Sequence, residues 1–129
     1  DLYADSLKWS GPNVYDGSYQ TKDDLAVAAK GYLEMFEDFS FQSGGVNPVN
    51  DGGYWGGNLY ADNGEINTDP NGIRIYGVWN ATHSESGAPV KLKFYAIQQF
   101  NEAGKVVLLN EWFDPSSMES QIQAYLENN

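Results

Sequence analysis

The chain has 129 residues, which suits one domain around one core, and its 18 acids against 7 bases give a formal charge of −11 at pH 7. That balance excludes nucleic acid and anionic membrane as expected partners. With no Cys and a single His, disulfides, thiolate nucleophiles, Cys-ligated zinc and multi-His metal sites are excluded too, and no cofactor is expected. No apolar run is long enough to span a bilayer, so the expectation is a soluble protein, cytoplasmic or exported.

Near the start, Leu7 and Trp9 alternate with Ser6 and Lys8, which predicts a short strand. Gly11-Pro12-Asn13 and Asp16-Gly17 end it with turn chemistry. Trp9, Tyr15 and Tyr19 cluster around this reversal, placed either to pack the core edge or to line a cavity mouth. A helix is predicted from Thr21 to about Asp38. Thr21 is a suitable N-cap, and Asp23 and Asp24 complement the dipole of the first turn. Leu25, Ala29, Tyr32 and Phe36 recur at helical spacing, and small residues at 28 and 29 allow close approach to a sheet. Tyr32 and Phe36 are candidates both for the helix–sheet core and for ligand contact.

Phe39 and Phe41 alternate with polar neighbours, predicting a short strand over Asp38 to Gln42. Ser43 to Gly72 holds more than half of the 14 glycines and reads as a long loop or lid. Tyr54, Trp55, Leu59 and Tyr60 would give a lid an apolar underside, and Trp55 is a candidate ligand contact; an irregular edge strand is the alternative. The acids Asp51, Asp62, Glu65 and Asp69 do not have calcium-loop spacing and read as solvated loop charges.

Three consecutive antiparallel strands follow: Ile73 to His83, Val90 to Asn101 and Lys105 to Asp114. Their mixed faces fit a bent sheet with a helix in its hollow and another subunit against its convex side. On the last strand, alternation puts Val107, Leu109, Glu111 and Phe113 on one side. A carboxylate in an apolar row is costly unless paired, solvated or protonated, which makes Glu111 the leading candidate for chemistry. Trp79, Gln98 and Phe113 are candidates for the same cavity, and Arg74, Tyr76 and Asn110 are further candidates for polar or aromatic contacts there. A closing helix begins at Pro115, with Asp114 as N-cap and Met118, Ile122, Tyr125 and Leu126 as its apolar stripe. His83 beside Ser84 and Ser86 lacks a nucleophile elbow and reads as structural.

Several stretches resemble the SnoaL-like polyketide cyclase family of the nuclear-transport-factor-2-like, or cystatin-like, superfamily. They are Leu2-Tyr3-Ala4-Asp5, the helix start Gly17 to Leu25, Tyr32 to Phe41, and Gly104 to Met118. The resemblance spans most of the chain except Ser43 to Gly72. It implies a single α+β domain over 1–129, a cone whose strongly bent antiparallel sheet packs on a long helix. Relatives of that kind carry a helix ahead of the Leu2 to Asp5 stretch, so such a helix is expected upstream of it or the cavity is more open. The resemblance also implies a homodimer and a hydrophobic small-molecule pocket. In the cyclases an aspartate on the last strand acts as general acid/base, and the match places that role on Glu111. The histidine that some of them carry on the neighbouring strand falls near Ala96 here.

Two functions from different classes follow. One is acid/base isomerase or cyclase chemistry on a carbonyl compound, with Glu111 moving the proton. The other is a non-catalytic ligand-binding or dimerisation module.

Overall fold

The computed structural model describes residues 1–43 and 72–129. Of the expected lid over Ser43 to Gly72, residues 44–71, Trp55 among them, lie outside the described residues.

Helix α1 (Lys22–Met35) starts in a capping box: the Thr21 hydroxyl accepts from the Asp24 N–H, and the Asp24 carboxylate accepts from the Thr21 N–H. It ends three residues earlier than its apolar spacing predicts. Phe36, its C-cap, is already extended at φ −131°, and strand β2 (Phe36–Ser43) begins there with no loop between. Helical spacing alone cannot distinguish the last turn of a helix from a strand that starts on the same buried residue. No residue of α1 is fully buried, because its apolar stripe borders an open hollow.

The remaining strands are β1 (Tyr3–Ser10), β3 (Gly72–His83), β4 (Pro89–Phe100) and β5 (Val106–Trp112). They form one sheet with β2 in the order β1-β5-β4-β3-β2. β2 to β5 pair antiparallel, as expected, and β1 joins the far edge parallel to β5. Parallel pairing between chain ends leaves no trace in local pattern, since no turn joins the two strands. Three ladders contain irregularities, and Asp38 sits in the left-handed region at φ 56° where β2 shifts register against β3.

The irregularity between β4 and β5 corrects one expected face. Leu109 and Val106, not Val107, are sealed with Leu7, Trp9 and Ala96 in the main core. Alternation resumes above it, so Leu109 and Glu111 share the inner side. Helix α2 (Pro115–Asn128) starts at the Asp114 cap, whose carboxylate accepts from the Ser116 N–H at 3.0 Å. It closes a second core of Phe36, Val90, Leu92 and Met118. β5 pairs only with Tyr95 to Phe100, leaving the start of β4 with an open edge. Gln121 of α2 covers that edge as a strand would: its amide accepts from the Lys91 N–H and donates to the Lys91 carbonyl, both at 2.8 Å. Among the described residues no helix is long and apolar enough to cross a membrane.

Candidate functional site

Between α1, the inner face of β3 to β5, the turn at 11–14 and the start of α2 lies a cavity of about 530 Å³. That is a volume for a small organic molecule. Its walls are aromatic and aliphatic. Tyr32, Phe113, Phe94, Trp79 and Phe41 form a continuous chain of ring contacts, with centroids 4.8 to 6.5 Å apart at successive steps. Phe41 stands behind the wall. It fits there because Gly77 has no side chain: a Cβ would come within 2.3 Å of Phe41 Cζ.

Glu111 lines this cavity. The register places it beside Ala96, whose small side chain leaves room above the main core. The Trp9 indole Nε1–H donates to Glu111 Oε1 at 2.6 Å, bridging 102 positions of sequence. Burial pushes the Glu111 carboxyl above its ordinary range, and the Trp9 hydrogen bond pulls it partway back. Tyr32 on α1 and Tyr3 on β1 are both raised, first by burial and then by the nearby negative charge of Glu111. Both phenols therefore stay protonated and able to donate. No Lys, Arg or His lines the cavity among the described residues.

The structure brings together Trp9, Tyr32, Phe36, Trp79, Glu111 and Phe113 of the candidates drawn from sequence. Gln98 is not among the lining residues. It lies on the inner side by register, opposite Ile73 and Leu109, beyond Ala96 and toward the main core. Arg74 and Tyr76 do not reach the cavity either. They share the outer face, where Arg74 donates to the Tyr95 hydroxyl at 3.0 Å and the Tyr76 and Tyr95 rings meet. Asn110, next to Glu111 on the strand, is likewise not part of the lining. Tyr15 and Tyr19 are exposed, leaving Trp9 as the aromatic of that cluster that lines the hollow. His83 meets Ser86 at 2.7 Å and its ring lies tilted against that of Phe36, a structural placement at the turn.

Other lining residues had weaker signals. Phe94 and Leu92 share the face of β4 that alternation assigns, and Met118 belongs to the apolar stripe of α2. The turn residues Gly11 to Val14 and Gln20 also line the cavity, brought there by a two-residue bridge between Trp9 and Gln20. Nothing in local spacing announces that bridge.

No family model matches the chain, and no curated protein matches it. Solved structures do. IdmH from Streptomyces antibioticus, a proposed polyketide cyclase, is 12% identical with a TM-score of 0.63, over 95% of this chain and 82% of that one. A nuclear-transport-factor-2-like protein from Burkholderia thailandensis is 12% identical with a TM-score of 0.61, over 95% and 80%. A steroid delta-isomerase from Pseudomonas aeruginosa is 13% identical with a TM-score of 0.51, over 98% and 73%. The chain has the nuclear-transport-factor-2-like fold, with a curved open sheet wrapped around a helix.

Proposed function

We propose that the protein binds a hydrophobic, ring-bearing carbonyl compound in this cavity and moves a proton on it, as an isomerase or cyclase does. The observation that carries the reading is Glu111: one carboxyl group on an aromatic wall, held by Trp9, with the Tyr32 hydroxyl nearby. A carboxylate raised by burial is a stronger base than one in water. It would take a proton from the carbon beside the ligand's carbonyl. The electron pair left behind moves onto the carbonyl oxygen, where the Tyr32 O–H can donate a hydrogen bond. Return of the same proton from Glu111 to a different carbon completes an isomerisation; attack of the carbanion on a second carbonyl of the ligand completes a cyclisation, with the proton going to the new alkoxide.

The lining also limits the ligand. With a buried acid and no cation among the described residues of the walls, an anionic ligand would meet uncompensated repulsion. Neutral compounds are therefore favoured. That the steroid isomerase and the proposed polyketide cyclase share this fold supports the class of chemistry without naming the substrate. The outer face of the sheet, where Trp112 is 47% exposed beside Tyr95, supports the further reading that the chain works as a homodimer through that surface.

A panel of neutral ring-bearing ketones, screened by thermal shift and then for proton exchange with deuterated water, tests the reading. Compounds that raise the melting temperature should exchange the hydrogen beside their carbonyl, and Glu111→Gln should end the exchange while leaving binding in place. Exchange that persists in Glu111→Gln would refute the assignment.

A further inference from the structure

The geometry points to Trp9 as the positioning residue of this site: its indole N–H fixes Glu111 in one orientation and leaves the second carboxyl oxygen to the cavity. The inference takes from the proposed function only that Glu111 is the working group.

The contact is built rather than incidental. An indole nitrogen can only donate, so its hydrogen bond requires an accepting oxygen and favours the ionised acid. Among the described residues no other group donates to Glu111. Among the described residues no buried side-chain oxygen or nitrogen lacks a partner and none donates to the second oxygen of Glu111, so that oxygen is not sealed among them.

Trp9 is itself held on three sides. It is only 7% exposed and packs with Leu7, Ala96 and Leu109. Its backbone N–H and carbonyl are both bonded to Gln20, at 2.9 and 2.7 Å. Against the edge of the indole next to its nitrogen lies Gly11, where a Cβ would stand 3.0 Å from Trp9 Cζ2 and 3.3 Å from Cε2. The bridge to Gln20 ends one residue before the Thr21 cap, so the start of α1 and the indole are fixed together. Among the described residues, the titratable groups facing Glu111 are Tyr3 from β1 and Tyr32 from α1. As protonated phenols they are neutral across the working range, so among the described residues the indole is the donor that offsets the effect of burial on Glu111.

The test uses the full chain and nuclear magnetic resonance. The side-chain carboxyl carbon of Glu111 is followed with pH, together with the Trp9 Nε1–H signal. In the wild type the Trp9 signal should inflect at the Glu111 midpoint, and that inflection should vanish in Glu111→Gln. In Trp9→Phe the Glu111 midpoint should move to higher pH. Gly11→Ala, which displaces the indole but keeps its N–H, should move it in the same direction and less far. With an active ketone, Trp9→Phe should lower kcat about tenfold at neutral pH, the worth of one hydrogen bond to a charged group, with KM hardly moved. An unchanged midpoint in folded Trp9→Phe, or a Trp9 signal indifferent to Glu111, overturns the inference. If Trp9→Phe does not fold, the wild-type and Glu111→Gln titrations decide alone. Loss of the proposed chemistry leaves a different trace: turnover surviving Glu111→Gln while the titrations behave as described.

Discussion

Replacing Glu111 with Gln changes one atom and removes one titration, so its effect on stability can be worked out with its sign. Burial raises the carboxyl above its ordinary range, so the folded protein holds the proton more tightly than the unfolded chain. Below the unfolded pKa the acid is neutral in both states and costs nothing. Above it the unfolded chain ionises freely while the folded protein still holds its proton, so stability falls until pH has passed the folded pKa. Between those two points the loss runs at no more than about 1.4 kcal/mol per pH unit, the free-energy equivalent of one unit for a single group. Gln keeps the shape and can still accept from the Trp9 indole through its carbonyl oxygen, yet never ionises. The melting temperature of Glu111→Gln should therefore match the wild type near pH 4 and exceed it near pH 8. The gap should be roughly 4 °C for each kcal/mol, by the usual scaling for a domain of this size. Thermal denaturation of both proteins across that range measures it. A gap that is constant, or that widens toward acid, would refute the claim that this carboxyl is strained by burial.

The other expectations can be checked with equally simple measurements. Gln121→Leu strips two hydrogen bonds from the backbone of Lys91 and should cost about 1–3 kcal/mol in urea unfolding; no change would mean water fills the edge unaided. Gly77→Ala drives a methyl into Phe41 and into the Gln42 carbonyl. It should cost about 3 kcal/mol and weaken ligand binding by pushing the aromatic wall inward. Tyr32→Phe should lower proton exchange about a hundredfold with little change in melting temperature, as the loss of an oxyanion donor does. Trp112→Glu should leave a folded monomer in analytical ultracentrifugation if the outer face joins two copies, and an unchanged association state would remove that face from the interface.

Much of the fold was legible because its signals are local. Thr21 with Asp24, Asp114 with Pro115, and the alternation on β3 and β4 each specify an element within a few residues. Glu111 stood out for the same reason, as a charge in an apolar row. What could not be read locally was register. The irregularity opposite Gln99 and Phe100 exchanged Val107 for Val106 in the core. Gln98 has the parity of Phe94 and Ala96 but lies too far along its strand to line the hollow. Trp9 was named among the cavity candidates, but its bond to Glu111 depends on a parallel pairing that no turn announces.

That pairing has a consequence for how the molecule comes into being. The acid and the indole that grips it belong to opposite ends of the chain, and β1 reaches β5 only through a pairing of long sequence separation. A polypeptide rich in such distant pairings folds slowly. A ligand that fits the hollow would tie these two distant stretches together, and its binding should slow hydrogen exchange at the amides of β1.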